Sequence, residues 1–237
     1  SFSKKKRKIA SFSLYRAKQS ERFLSGVLLG FALRVTLTAT DNVRVKSCNY
    51  LKLLFMIGAA LGNDDVFKEV ALRLLNKLLK LGLCGGEAAV EATKRDLIEN
   101  IKSHGNRLQT GFLGTSVLMD TLTEAGAVDV AYTLLFQRKN PSWLYSVDQG
   151  ATTIWERWNS YRKDTGFGPV GMNSFNHYAY GAVLAWIYKT AAGIAADPSD
   201  PGFKTVIMAP VPDKRLGFVE AEYKSAAGLS KSAWRYE

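Results

Sequence analysis

Apolar residues recur at steps of three and four through most of the chain, and the step shortens toward two near the C-terminus. Between residues 51 and 82 the stripe Leu51, Leu54, Phe55, Gly58, Leu61 gives way to Val66, Val70, Leu74, Leu78, Leu81. Such spacing lines up one helix face. Gly62-Asn63-Asp64 between the stripes supplies a stop and a new N-cap, so a helical hairpin is predicted. Leu83–Gly86 reads as a break. Glu91–Ser103 is the next helix, with Leu97, Ile98 and Ile101 on one face and His104-Gly105-Asn106 at its end. Residues 110–115 (TGFLGT) read as a tight loop between Gly111 and Gly114, where glycine allows positive φ or close approach. Thr115 or Ser116 then caps a helix over Val117–Ala125. Gly126 breaks it, and Val128–Gln137 forms another before Pro141. Asn173 or Ser174 caps a long helix, Phe175–Gly193, with His177 in its first turn and a stripe through Phe175, Ala179, Ala182, Val183, Trp186, Ile187 and Thr190. At about 1.5 Å per residue it would run roughly 30 Å.

After Ala196 the texture changes. Asp197–Gly202 (DPSDPG) reads as a linker, followed by strands at Thr205–Met208, Phe218–Tyr223 and Leu229–Tyr236. Three strands alone leave open edges and a thin core. The chain is therefore mainly α with a β end, and divides into residues 1–50, 51–196 and 197–237.

Residues 1–50 are the least legible. Lys4 to Lys8 form a basic run, and Phe23–Leu33 is apolar. A nucleic-acid patch lacks an accompanying aromatic platform or known module. A secretory signal has the right apolar length, but the basic segment before it is long and Arg34 closes it. The stretch is too short to span a bilayer comfortably. The favoured reading is a chain that starts inside a larger protein, at Ser1; neither a cytoplasmic nor a secreted location is decided.

Charge sharpens this division. The net charge is +11, yet residues 1–80 hold 16 of the 32 Lys/Arg and 5 of the 21 Asp/Glu, which leaves 16 of each for the remainder. The excess sits in the first third, as in a basic tail, and the rest is balanced, as suits a neutral ligand. Cys48 and Cys84 have no metal-type spacing. No metal or other cofactor is implied.

The candidate chemistry lies between Val147 and Tyr180. Glu156 stands between Trp155 and Trp158, and His177 lies 21 residues further on, across a Gly-rich segment. That separation is too large for one helix face and fits a loop folded over a pocket. Apolar walls disfavour the charged form of a carboxylate, which suits acid–base work near neutral pH. Trp faces stack on sugars, and His177 and Asn176 offer hydrogen bonds to a polyol. An ion-paired, half-buried helix start would also explain Trp-Glu-Arg-Trp, and a lone histidine often only packs.

Four segments point further. GNRLQTGFLGT (105–115), NPSWLYSVDQGATTIWERW (140–158), GMNSFNHYAYGAVLAWIYKTAAGI (171–194) and PGFKTVIMAPVP (201–212) resemble, in order, the bacterial-type α-L-rhamnosidases, glycoside hydrolase family 78. The resemblance runs from about Glu91 to Trp234. It implies part of an (α/α)6 six-hairpin barrel followed by the start of a small C-terminal β-sandwich. It also implies hydrolysis of terminal α-L-rhamnose from glycosides or polysaccharides with inversion. The family's general base, in ATTIWE, falls on Glu156, and its sugar-contacting histidine, in SFNHYAYG, falls on His177. Trp143 heads toward the pocket side, or packs as a core tryptophan. Trp155 and Asn176 complete the expected sugar contacts.

An inverting glycosidase needs two carboxylates, base and acid. The family's acid lies in an upstream acidic motif, and none is seen here. Asp41, Asp64 and Asp65 lack the right neighbours, and Asp148 reads as a structural hydrogen-bonder. The chain is thus expected to be a fragment carrying the base half, and inactive alone. The alternatives are a sugar-binding remnant without hydrolysis and a basic interaction protein acting through residues 1–50.

Overall fold

A computed structural model describes residues 86–237, together with residues 76, 79, 80, 82 and 84. The readings of residues 1–50 and most of the predicted hairpin over 51–82 lie outside these residues. The chain forms two units, Ser1–Arg95 and Asp96–Glu237.

In the first unit Asn76, Leu79 and Lys80 are helical, and Gly82 turns the chain at φ +61. Cys84 is buried. Its Sγ donates to Thr93 Oγ1 at 3.5 Å, and that hydroxyl donates to Ala89 O at 2.7 Å. Helix α1, Glu87–Ser103, begins four residues earlier than its apolar stripe implies. Gly86, at φ +86, marks the break, and its carbonyl already accepts from Val90 N–H at 3.1 Å.

In the second unit α1 carries Leu97 and Ile101, both fully buried, and ends where expected. Gly105 and Asn106 both take positive φ, and Asn106 N–H reaches back to Ile101 O at 3.0 Å. Helix α2 spans Phe112–Glu124. TGFLGT is therefore the start of this helix and not a loop, and neither Thr115 nor Ser116 caps it. The Thr115 hydroxyl bonds back to Gly111 O at 3.0 Å and shares a 2.7 Å hydrogen bond with Thr110 Oγ1. Ser116 Oγ donates to Leu113 O at 3.2 Å. Hydroxyls occupied by preceding backbone groups sit inside a helix and leave no acceptor aimed at its first amides.

Leu118, Met119 and Leu122 make α2 the centre of the core. Gly126, at φ +77, turns the chain into α3, Val128–Leu135. A short α4, Trp143–Asp148, is capped by Ser142, whose Oγ accepts from Tyr145 N–H at 3.1 Å. A two-stranded hairpin follows, β1 (Tyr161–Arg162) and β2 (Gly166–Phe167).

The long helix expected over Phe175–Gly193 is shorter and irregular. A 3-10 turn over Tyr178–Ala182 leads into α5 (Val183–Trp186) and a π turn over Ile187–Ala191. Neither Asn173 nor Ser174 caps it, and His177 lies before its first turn. The cause is competition for backbone groups. Ser174 O accepts from Glu156 N–H and His177 N–H donates to Ile154 O, at 2.9 and 2.8 Å. A segment pairing with another loop cannot close helical turns on itself. Helix α2 packs against α3 and against the stretch from Tyr178 to Trp186.

Gly193 ends the helical part at φ +74. Its backbone is so close to the next strand that a Cβ there would sit 2.1 Å from Pro210 N. Strand β3, Ile194–Ala196, then pairs antiparallel with β4, Val206–Met208. Asp197–Gly202 lies in the connection of this hairpin, where the Ser199 N–H and hydroxyl both donate to Asp197 Oδ1, at 2.8 and 2.6 Å. Those bonds hold the Asp197 carboxyl below its usual range.

Strands β5 (Phe218–Ser225) and β6 (Gly228–Arg235) form the longest ladder, Phe218 opposite Arg235 and Ser225 opposite Gly228. This β part is fastened to the helices by side chains reaching backbone. Trp234 Nε1 donates to Ala191 O at 2.7 Å, and Tyr132 Oη donates to Val211 O at 2.6 Å. Arg215 lies over the Tyr132 and Phe136 rings and donates to Thr133 Oγ1 at 3.1 Å.

Candidate active site

The backbone pairing that shortens the helix also assembles the site. Residues 153–156 run antiparallel to 174–177, with one more residue between the bonds on the second segment than on the first, like a bulge. Two side chains strengthen the pairing. Thr153 Oγ1 donates to Phe175 O, and Glu156 Oε2 accepts from Ser174 N–H at 2.7 Å. Glu156 and His177 thus sit on adjoining backbone segments, although they are 21 residues apart in sequence.

Glu156 is half-buried. One carboxylate oxygen is held by the Ser174 amide, and Oε1 accepts no hydrogen bond among the described residues. His177 stacks on Phe112, centroids 4.6 Å apart at 21°. Its Nδ1 is buried without a hydrogen-bond partner among the described residues. A buried polar atom in that state is an unmet demand for a ligand or water. Asn176 is exposed; its backbone N–H donates to Ser174 Oγ at 3.2 Å.

Trp155 is buried, edge-on to Phe175 at 5.3 Å and to Tyr161 at 6.4 Å. Trp143 is also buried, and its Nε1 donates to Tyr180 O at 2.9 Å. Trp143 meets the Trp158 ring at 5.5 Å and 90°; Trp158 in turn stacks on Tyr180 at 3.8 Å, and Tyr180 contacts Phe112 at 5.1 Å. Aromatic contacts of this kind add about 0.5–1.5 kcal/mol each beyond area burial. They join into one run of rings that reaches His177 through Phe112.

Phe112 and Tyr180 are not singled out by the sequence, and Trp158 is marked there only as a flank of Glu156. The density of rings in SFNHYAY was the available signal, but only the fold shows which rings meet. Asp148 is occupied elsewhere, paired with Arg138 at 2.6 Å. Among the described residues no cluster of three His, Cys, Asp or Glu side chains offers a metal site, and no helix is long and apolar enough to cross a membrane.

The segment joining the two halves of the site is itself tied down. Arg157 Nη2 donates to Pro169 O at 3.0 Å, and Gly168 N–H donates to Ser160 O at 2.8 Å. Asn173 Nδ2 donates to Ser160 O and Gly168 O at 3.3 and 3.5 Å. Ser160 is fully buried and exchanges hydrogen bonds with the Arg157 backbone, at 3.2 and 3.0 Å. At the hairpin tip Arg162 and Asp164 pair at 2.6 Å, which lowers the Asp164 carboxyl.

Helices followed by antiparallel strands, with the candidate carboxylate on a loop between them, agree with what family comparison shows. Residues 73–191 match the bacterial alpha-L-rhamnosidase 6 hairpin glycosidase domain, half of the chain, and residues 193–237 match the bacterial alpha-L-rhamnosidase C-terminal domain. The chain belongs to the bacterial α-L-rhamnosidase family.

An α-L-rhamnosidase of Formosa agariphila is 49% identical over 144 residues, 61% of this chain and 15% of that protein. The structure of the Streptomyces avermitilis α-L-rhamnosidase complexed with L-rhamnose matches with a TM-score of 0.66 and 32% identity, over 82% of this chain and 21% of that one. The Aspergillus terreus α-L-rhamnosidase matches with a TM-score of 0.66 and 25% identity, over 80% of this chain and 25% of that one. The chain thus spans about 15% of the length of the curated relatives it matches.

Proposed function

We propose that this chain supplies the general-base half of an α-L-rhamnosidase active site, acting on terminal α-L-rhamnose of glycosides or polysaccharides with inversion. Glu156 takes a proton from the water that attacks the anomeric carbon. His177 and Asn176 hydrogen-bond sugar hydroxyls. Trp155 and Trp143 form the aromatic wall, through their contacts with Phe175 and Trp158 respectively. The proton donor to the leaving oxygen is placed outside this chain, since the acidic motif that would supply it is not seen here and Asp148, the carboxylate nearest the base in sequence, pairs with Arg138. The observation that carries this reading is the pairing of residues 153–156 with 174–177. It sets a half-buried carboxylate with one open oxygen beside a histidine with an unpaired buried nitrogen. The electrically balanced composition of residues 81–237 suits a neutral sugar.

The test is a chimera in which residues 96–237 replace the matching segment of the Formosa agariphila relative, assayed on a chromogenic α-L-rhamnoside. Hydrolysis is expected, with β-L-rhamnose as the first product seen by NMR. Glu156→Gln is expected to lower kcat/KM on the order of 10²–10⁴-fold. Full activity in that variant removes Glu156 as the base. The 237-residue chain alone is expected to bind rhamnose without hydrolysing the glycoside; hydrolysis by it would place the donor within the chain.

A further inference from the structure

The strap from Gly166 to Ser174 leaves β2, passes Gly168 and Pro169, and returns to Glu156 through the Ser174 amide. Its fastenings converge on Arg157, the residue next to Glu156. The Arg157 guanidinium holds Pro169 O, and the Arg157 backbone exchanges two hydrogen bonds with the buried Ser160 hydroxyl. Ser160 O holds Gly168 N–H and Asn173 Nδ2. Arg157 Nη2 lies where a side chain on residue 168 would begin, since a Cβ on Gly168 would be 2.7 Å from it and 3.3 Å from Ser160 O. A Cβ at 168 would press on the movable end of the Arg157 side chain and displace the guanidinium from its place beside Pro169 O. Arg157 Nε and Asn173 Oδ1 are both buried without hydrogen-bond partners among the described residues. Keeping them unpaired is costly, so this arrangement is not the one that hydrogen bonding within the strap alone would select.

We infer that Arg157, with Gly168, is a positioning device for Glu156. It fixes the strap so that Ser174 N–H holds Oε2 and leaves Oε1 as the oxygen that works on water. The inference rests on the reading of Glu156 as base. In that reading Oε1 takes one proton from the water, the water oxygen bonds to the anomeric carbon, and the departing glycosidic oxygen takes its proton from the separate donor. A carboxylate free to rotate about its last bond would present either oxygen at varying angles. Misplacement of a reacting group by about 1 Å can cost on the order of 100-fold in rate. Arg157 touches neither water nor sugar in this scheme and acts only through the strap.

Amide hydrogen exchange on the 237-residue chain, followed by NMR, reads the device directly. In the unaltered chain the Ser174 amide is expected to be protected by its bond to Glu156. Arg157→Gln and Gly168→Ala are expected to speed its exchange at least tenfold, leaving the amides of Leu118 and Leu122 in α2 as slow as before. Arg157→Lys keeps one donor for Pro169 and is expected to retain part of the protection. In the chimera the Gln and Ala variants are expected to lose on the order of 10–100-fold in kcat with KM within about twofold. Unchanged Ser174 protection in both variants overturns the inference. So does full kcat in them while Glu156→Gln is inactive, an outcome that leaves the base assignment intact. A fully active Glu156→Gln variant instead removes the base assignment, and with it the catalytic purpose of the strap.

Discussion

The second unit holds two regions built on opposite principles. From Gln149 to Tyr180 the backbone is almost free of regular structure, and its shape is fixed by loop pairing with loop, by side chains reaching carbonyls, and by stacked rings. From α2 through α3 to the docked strands, shape is fixed by buried aliphatic side chains on regular elements, with Leu118, Leu122 and Leu134 fully buried. The first region holds a carboxylate and an imidazole on segments tied to each other at residues 153–156 and 174–177. The second supplies most of the burial and meets His177 through Phe112 at the start of α2. Precision and stability are thus placed in different stretches of one chain, and substitutions should separate them.

The widest separation is expected from a crossed pair. Glu156→Gln should remove about 2.7–5.4 kcal/mol of transition-state stabilisation in the chimera, the equivalent of the rate loss given above, and leave the unfolding midpoint of the chain unchanged. Leu122→Ala should do the reverse, lowering stability by about 2–5 kcal/mol through lost burial and a cavity, as read by denaturant unfolding. If Glu156→Gln unfolds the chain, the loop region is structural as well as functional, and the comparison breaks.

A smaller effect is expected at the seam between helices and strands. Tyr132→Phe removes the donor to Val211 O and should cost about 1 kcal/mol. The phenol is pushed up to about 12, chiefly by burial and next by the Asp213 charge. A phenol raised in the folded state helps stability fully below its unfolded value of about 10, and that help is lost as pH rises to about 12. Unfolding midpoints should therefore fall between those two values in the unaltered chain and stay flatter in Tyr132→Phe.

The smallest change is expected at Asp213. Its carboxyl is lowered chiefly by the hydrogen bond from Arg215, which binds it at 2.7 Å on a partly exposed surface. A lowered carboxyl contributes above its ordinary value, near 3.9, and the contribution fades as pH falls below that. Asp213→Asn should cost no more than about 1 kcal/mol at neutral pH and nothing under strongly acid conditions.

The same contrast explains what could be read from sequence. Leu97, Ile101, Val130 and Trp186 repeat at helical spacing because burial on a helix imposes it, so their elements were legible, and β5 and β6 were found within two residues of their ends. The start of α2 was misread because Gly111 and Gly114 look like loop glycines, while the Thr115 hydroxyl is spent inside the helix. The helix over 175–193 was overextended because its apolar stripe continues through Phe175, and periodicity carries no information about carbonyls claimed by a distant loop. Glu156 and His177 are candidates by motif, and their adjoining placement rests on the pairing of residues 153–156 with 174–177. Arg157, Ser160 and Gly168 act through backbone contacts that no side-chain pattern encodes. Strand β3 is three residues long, too short for any alternation to show.

The crossing at Gly193 has a consequence for how this protein can vary. The position combines φ +74 with a neighbouring proline nitrogen 2.1 Å from where a Cβ would stand. Alanine would meet both obstacles at once, and no rotamer relieves either, since the clash lies at the first side-chain atom. In a saturation library sorted for folded chains, codon 193 should return glycine alone, while codons 198 and 199 in the β3–β4 connection should return many residues. Homologous recombination between relatives would then be expected to tolerate joins within residues 198–202 and to fail where a join changes the approach of residues 209 and 210 to codon 193.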